Sequence, residues 1–349
     1  MFPAGRSNFP RIGNRTSQIK QAHRAEGGLT MGLAKEFPIE KMEGFRIGNA
    51  QNEEAGTGVT VVLFNKDKGA RAGVDVSGGG PASRETPLAS PLTADNPVNA
   101  IVLSGGSAYG LAASDGVMHW LEEHGFGFDT GYVRVPLVCQ SCIYDLGYKR
   151  ADIRPDAAMG YAACEDALQH NKVLSGSIGA GIGATVGKIY GMERSSKSGL
   201  GICALEVGDL RVAAIVVVNA LGDIFNPENG EKLAGLKNEA GTGFADSREA
   251  LYTISKRETL FNSNTTIGVV ITNGEFTKGE MNKLAAMTRN AYARCIRPVG
   301  TMADGDTIYA ASVGTVQADI NTTGVLMAEA MERAIMRAVI SVSDAPVFE

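Results

Sequence analysis

Apolar and polar positions along this chain form short blocks that predict strands and helices in alternation. Runs with strand character lie at residues 56–64, 71–76, 98–103, 132–146, 175–189, 201–207, 210–219, 265–273 and 306–313. Helical spacing occupies residues 107–124, 155–170, 277–294 and 325–342. Two local signals support the pattern: Gly208-Asp209 predicts a hairpin turn, and Thr277 with Glu280 forms a capping-box pattern at a helix start.

Several predicted strands are apolar at consecutive positions, so both of their faces must be covered. This favours an α/β fold in which two sheets pack together with helices outside. Residues 1–45 are polar and carry scattered Arg, Lys and Gly, which predicts an irregular leader before a single domain at 46–349. Residues 228–262 are polar again and predict a surface excursion or linker that leads to Asn264.

Composition narrows the functional classes. The 44 glycines exceed the usual share and indicate close backbone approaches in a β-rich core. The net charge of −5, with no basic stripe, disfavours nucleic acid as a partner. No apolar run reaches the roughly 20 residues of a membrane span, and the first 30 residues contain no signal-peptide core, so we expect a cytoplasmic protein without membrane association. Five cysteines, an odd number, favour reduced thiols.

The strongest chemical signal is Asn264-Thr265-Thr266, which stands between the polar excursion and an apolar run. If the Asn264–Thr265 bond breaks, Thr265 carries a hydroxyl nucleophile and an α-amine able to act as its base. The alternative is that a β-branched threonine simply begins a strand. The same tripeptide recurs at 321–323 before a helix-like run, so its context carries the signal. The junction predicts a self-cleaving hydrolase.

Five further polar residues are candidates for the same chemistry, each with an ordinary structural alternative. Asp304 and Asp306 flank a glycine before a strand, where they either hold an amine or hydroxyl or form a turn. Lys188 is either a solvated lysine or a charge that keeps a nearby amine deprotonated. Asn219, at a strand end, is either an oxyanion donor or a turn residue. Tyr144 is either an oxyanion donor or a core residue.

The sequence lacks the residue patterns that other catalytic schemes need. The histidines at 23, 119, 124 and 170 show no metal-ligand spacing and no motif with Ser and Asp. Cys139 and Cys142 match C-x-x-C without a second pair, which favours structural cysteines. An N-terminal threonine supplies its own base, so we expect neither a cofactor nor a metal.

Several segments together resemble the P1 family of self-processing peptidases, which includes L-aminopeptidase/D-Ala-esterase, β-peptidyl aminopeptidases and nylon-oligomer endohydrolases. They are LSGGSAYGL at 103–111, GATVGK at 183–188, VVVN at 216–219, NTTIGVVITN at 264–273 and DGDT at 304–307. The Asn-Thr junction is most similar to the nylon-oligomer branch, because the classical aminopeptidases have Gly-Ser there.

The resemblance implies a four-layer αββα sandwich of the N-terminal-nucleophile (Ntn) type, cleaved into an α chain 1–264 and a β chain 265–349. It implies that Thr265 is the nucleophile. The family residues expected around it are Lys188, Asn219, Asp304, Asp306 and Tyr144. Family members are usually homo-oligomers, often tetramers of αβ units. One departure is Gly300, where relatives commonly carry histidine.

The resemblance also implies the substrate class, a small-molecule or peptide-like amide. Linear amide oligomers such as 6-aminohexanoate oligomers are the first expectation. Removal of N-terminal residues from peptides or amino-acid amides is the alternative. Acyl transfer, as in ornithine acetyltransferases, and a non-catalytic binding role are two further classes.

Overall fold

The computed structural model describes residues 33–171, 174–254 and 264–342. In chain order the strands are β1 (Lys35–Glu36), β2 (Phe45–Asn52), β3 (Thr57–Phe64), β4 (Arg71–Val76), β5 (Ala82–Arg84), β6 (Ala100–Ser104), β7 (Phe128–Asp129), β8 (Arg134–Val135), β9 (Val138–Cys142), β10 (Thr185–Val186), β11 (Ser196–Lys197), β12 (Leu200–Val207), β13 (Leu210–Asn219), β14 (Asp223–Phe225), β15 (Lys232–Ala234), β16 (Thr265–Gly274), β17 (Ile296–Arg297) and β18 (Thr307–Val316). The α-helices are α1 (Ala113–Glu123), α2 (Ala157–Gln169), α3 (Ser247–Thr253), α4 (Lys278–Cys295) and α5 (Ile320–Ile340).

A six-stranded mixed sheet has the order β1–β12–β13–β16–β18–β4, in which only β16 and β18 are parallel neighbours. The predicted hairpin is confirmed, because β12 and β13 pair across Gly208-Asp209 and Gly208 has a φ of +57°. Since β13 runs antiparallel to β16 and β18 runs parallel to it, the end of β13 and the starts of β16 and β18 lie at one edge of this sheet.

A five-stranded sheet has the order β2–β3–β6–β9–β5. One face of it packs against the six-stranded sheet, where Val62 and Ile101 meet Ile267 and Val269 of β16. Its other face packs against α1 and α2. The opposite face of the six-stranded sheet packs against α4 and α5, where Val270 of β16 lies in the same apolar cluster as residues of both helices. The predicted α/β class is confirmed, and strands covered on both faces explain the continuous apolar runs.

Two glycines show why the sheets can approach the helices closely. A Cβ on Gly201 of β12 would lie 1.8 Å from the carbonyl oxygen of Ala334 in α5. A Cβ on Gly48 of β2 would lie 2.0 Å from the carbonyl oxygen of Ala163 in α2. Both distances are far below van der Waals contact, so these strand positions admit only glycine at this sheet–helix spacing.

Several predicted boundaries differ from the structure. The predicted strand at 175–189 contains only the short β10, because Gly179 and Gly187 adopt positive φ values of 53° and 72° that a strand does not allow. The predicted helix at 107–124 begins with the 3₁₀ segment Ser107–Ala112, which α1 then continues. Helix α5 begins before the predicted position because the Asp319 side chain caps its first turn.

The predicted leader and excursion are described in part. Strand β1 pairs with β12, and Ile39, Met42 and Phe45 are buried between the two sheets, so the ordered domain includes residues before position 46. In the excursion the structure shows β15 and α3, while residues 1–32 and 255–263 lie outside the described residues. Within the described ranges, no helix combines the length and apolarity needed to span a membrane.

Candidate active site

Three strand ends bring the predicted site residues together. Thr265 is the first residue of β16 and lies opposite Asn219, the last residue of β13, in the antiparallel register. Asn264 forms an isolated parallel bridge with Asp304, and Asp306 directly precedes β18. All five residues are buried. Residues that are distant in sequence therefore meet at one edge of the six-stranded sheet.

The carboxamide of Asn219 is held in one orientation by three hydrogen bonds. Its Oδ1 accepts from Lys188 Nζ at 2.8 Å and from the main-chain N–H of Thr185 at 3.1 Å. Its Nδ2 donates to the main-chain carbonyl of Tyr144 at 3.0 Å. An amide nitrogen carries two hydrogens, so Asn219, which lies opposite Thr265 in the sheet register, has a second N–H that can donate to a carbonyl oxygen.

The two aspartates hold the main chain on either side of this edge. Asp306 accepts from the N–H of Thr266 at 2.6 Å and from the N–H of Gly300 at 3.0 Å. Asp304 accepts from the main-chain N–H and the hydroxyl of Thr301 at 2.8 and 2.7 Å. The carboxylates thus fix the strand start that carries Thr265 and the turn that precedes them.

The Asn264–Thr265 junction has a distinctive geometry. The Thr265 hydroxyl donates a hydrogen bond to the carbonyl oxygen of Asn264, the residue before it. The same oxygen accepts from the main-chain N–H of Gly305 at 3.0 Å. The Asn264 side chain is 3% exposed, and neither of its polar atoms has a hydrogen-bond partner among the described residues. The Thr265 hydroxyl and the Gly305 N–H therefore hold this carbonyl, without help from the Asn264 side chain.

Burial sets the proton affinities of the site. It lowers the pKa of Lys188 from 10.5 to about 7, although the charges of Asp304, Asp145 and Asp306 act in the opposite direction. Burial, followed by the charge of Asp304, raises the pKa of Asp306 to about 7. Burial also raises the pKa of Asp304. The pKa values of Lys188 and Asp306 therefore lie close to neutral pH, as is common for groups in catalytic sites.

Comparison with known proteins identifies the family. Residues 39–348 match the family description Peptidase family S58. The chain belongs to peptidase family S58. This confirms the resemblance to the P1 family drawn from the sequence. It places the chain among hydrolases of peptide and other amide bonds.

Relatives of this S58 chain differ in their described activities. An uncharacterised aminopeptidase of Mycobacterium leprae is 38% identical over 279 residues, which cover 75% of this chain and 72% of that protein. The 6-aminohexanoate-oligomer endohydrolase of Kocuria sp. is 32% identical over 288 residues, 80% of this chain and 75% of that protein. A solved structure of similar fold is that of an L-aminopeptidase D-Ala-esterase/amidase from Ochrobactrum anthropi, described as a variant of the Ntn-hydrolase fold. It matches with a TM-score of 0.64 and 16% sequence identity, and the match covers 88% of each chain. This likeness supports the fold alone.

Two groups in this S58 site were not anticipated from the sequence. The carboxylate of Asp145 is buried and accepts hydrogen bonds from the Thr57 hydroxyl at 2.6 Å and from the Gly106 N–H at 2.7 Å. Its negative charge raises the pKa of Lys188, against the larger effect of burial. Asp145 lies three residues after the end of β9 and inside the strand predicted at 132–146, so its acidic side chain within a predicted strand was the available signal. The other group is the Gly305 amide, which no side-chain pattern reveals.

The structure also shows where the other residues discussed in the sequence analysis lie. Half-buried Tyr144 reaches Asn219 through its main-chain carbonyl. Gly300 has a φ of +66°, a conformation that favours glycine over the histidine that the family resemblance led us to expect. Cys139 and Cys142 are buried and unpaired, and burial raises the pKa of both thiols to about 12. Over the described ranges, no group of three or more His, Cys, Asp or Glu residues could hold a metal ion.

Proposed function

We propose that this S58 chain is an N-terminal-threonine amide hydrolase made as a self-cleaving precursor. The observation that carries the proposal is the hydrogen bond from the Thr265 hydroxyl to the carbonyl oxygen of Asn264, within a buried group of polar residues. Cleavage gives chains 1–264 and 265–349. The two packed sheets with helices on their outer faces support an αββα sandwich of the Ntn type that holds both chains together.

Self-cleavage requires a base other than Thr265 itself, because its nitrogen is an amide before cleavage. Lys188 has suitable strength, since burial brings its pKa to about 7. Its neutral amine accepts the Thr265 hydroxyl proton while the oxygen bonds to the Asn264 carbonyl carbon. The carbon–nitrogen bond then breaks, the Thr265 nitrogen takes the proton, and an ester remains. Water hydrolyses this ester and leaves a carboxylate on Asn264.

In turnover the freed amine of Thr265 acts as the base for its own hydroxyl. The hydroxyl attacks a substrate amide to form an acyl-enzyme, which water hydrolyses. Asn219 Nδ2 stabilises the oxyanion, with the Tyr144 hydroxyl as a second donor. Each donor increases the rate by a factor of about 10²–10³. Asp304 and Asp306 orient the Thr265 terminus, and Lys188 disfavours the protonated amine. The reaction needs no cofactor.

The proposed substrates are linear amide oligomers such as those of 6-aminohexanoate. Two observations favour this class: the Asn-Thr junction and the relatives from Kocuria and Agromyces described as 6-aminohexanoate-oligomer endohydrolases. Aminopeptidase activity is the second candidate, supported by the mycobacterial relatives described as aminopeptidases. We further propose a cytoplasmic homo-oligomer, a tetramer of αβ units, which light scattering of the purified protein tests.

The first experiment is denaturing electrophoresis with N-terminal sequencing. Wild type should give two fragments, the smaller beginning at Thr265. Thr265→Ala should give one full-length band without hydrolysis, while Thr265→Ser retains a hydroxyl and should still cleave. Thr322→Ala is the matched control, because it alters the second Asn-Thr-Thr tripeptide at the exposed start of α5. A wild type that hydrolyses amides as a single uncleaved chain contradicts the mechanism.

The second experiment separates the two substrate classes. A 6-aminohexanoate oligomer and a peptide amide are each offered with a free and with an acetylated amine. An endohydrolase should cut the blocked oligomer internally, and mass spectrometry of the products shows where. Hydrolysis of the free-amine forms alone favours the aminopeptidase.

A further inference from the structure

The main-chain amide of Gly305 contacts the bond that we propose is cleaved. Its N–H donates to the Asn264 carbonyl oxygen at 3.0 Å, and the Thr265 hydroxyl donates to the same oxygen. Regular pairing of β16 with β18 begins only at Ile267, so this contact belongs to the isolated bridge of Asn264 with Asp304. One N–H therefore points at the oxygen on which charge develops when the hydroxyl attacks.

The absence of a side chain at position 305 makes room for the nucleophile. A Cβ there would lie 2.8 Å from Thr265 Oγ1 and 2.8 Å from the carbonyl oxygen of Gly80. Such distances are too short for carbon and oxygen, so any larger residue must displace one of the two. By contrast, a Cβ on the neighbouring Gly80 would meet only the carbonyl oxygen of Asp304, at 3.9 Å.

We propose that the Gly305 N–H is the oxyanion donor of self-cleavage, an assignment that rests on the self-cleavage proposed above. When Thr265 Oγ1 bonds to the Asn264 carbonyl carbon, its proton passes to the base and the carbonyl π electrons move to the Asn264 oxygen. The Gly305 N–H stabilises this negative charge. The electron pair then re-forms the carbonyl as the carbon–nitrogen bond breaks and the Thr265 nitrogen takes the proton. This donor is distinct from Asn219 Nδ2, which serves the substrate.

The direct test replaces one amide with an ester. Glycolic acid placed at position 305 during cell-free translation substitutes oxygen for the N–H and leaves every side chain unchanged. The matched control places glycolic acid at position 80, whose N–H donates to the Asp304 carbonyl at 2.9 Å in the same region. Fragment formation is followed over time for both esters and for wild type. We expect cleavage to slow by about 10²–10³ with the ester at 305 and to stay within a few-fold of wild type with the ester at 80.

A pair of alanine variants tests the same geometry in purified protein. Gly305→Ala should stay largely uncleaved while keeping a cooperative melting transition, because its methyl group displaces the Thr265 hydroxyl. Gly80→Ala should cleave like wild type. If Gly305→Ala loses cleavage only because it no longer melts cooperatively, or cleaves as fast as Gly80→Ala, the positional argument is wrong.

The outcomes separate this inference from the function it rests on. A wild type that never cleaves overturns the proposed function. A wild type that cleaves, together with an ester at 305 that cleaves as fast as the ester at 80, overturns only the role of Gly305.

Discussion

Replacing Asn219 with alanine is the sharpest test of how stability and catalysis are combined in this site. The substitution removes a fully buried carboxamide that makes three hydrogen bonds. It leaves the Thr185 N–H and the Tyr144 carbonyl without this partner. Lys188 keeps one bond to position 219, the 3.1 Å contact with the main-chain oxygen.

The expected magnitudes follow from these contacts. A buried polar group that loses its partner costs about 1–3 kcal/mol, so the two main-chain groups left without this partner should together cost about 2–6 kcal/mol of unfolding free energy. For a domain of this size that corresponds to a fall in melting temperature of about 3–9 °C. Loss of the Nδ2 donor should also lower kcat by about 10²–10³.

The assay compares Asn219→Ala with Asn282→Ala. Asn282 also makes three hydrogen bonds to main-chain groups, the N–H of Val74 and the carbonyls of Ala89 and Lys278, but lies in α4 away from Thr265. Thermal melting and turnover per folded molecule are measured for both. Both variants should melt lower, and only Asn219→Ala should lose turnover. Equal turnover in the two folded variants would refute the oxyanion role.

Three further predictions concern the pH dependence of self-cleavage, the pH dependence of stability and the excursion before the junction. Burial lowers the pKa of Lys188 to about 7, so its neutral form becomes available as pH rises. The rate of self-cleavage should therefore increase between about pH 6 and pH 8. A cleavage rate that does not change with pH contradicts Lys188 as the base. The same lowered pKa means that the unfolded chain binds more protons above pH 7, so this lysine should make stability rise from about pH 7 to pH 10, as chemical denaturation at several pH values can measure. Buried Asp223 accepts hydrogen bonds from Lys232 and from the N–H and hydroxyl of Ser247. Asp223→Ala should therefore release α3 and increase protease cutting within residues 226–254. An unchanged digestion pattern argues against this anchoring role.

Much of the fold could be predicted because strand and helix patterns are local. The apolar runs that became β13 and β16 matched their bounds closely, since each buries both faces and is continuous in sequence. Strand β2 was missed because its residues include Gly, Asn and Gln, and pairing with β3 rather than apolarity holds it in the sheet. The glycine-rich stretch at 175–189 failed for the opposite reason, since its apolar content resembles a strand while positive φ values break it.

By itself the sequence placed Thr265 at the start of one strand, Asn219 at the end of another and the two aspartates just before a third, because a residue's position in a periodic pattern needs no partner. Tertiary structure alone decided that these ends share one sheet edge, since that depends on β13 running antiparallel and β18 parallel to β16. It also decided the lowered pKa of Lys188 and the Gly305 N–H on the Asn264 carbonyl. Desolvation and main-chain direction arise from segments far apart in the chain, and no local pattern of residues encodes them.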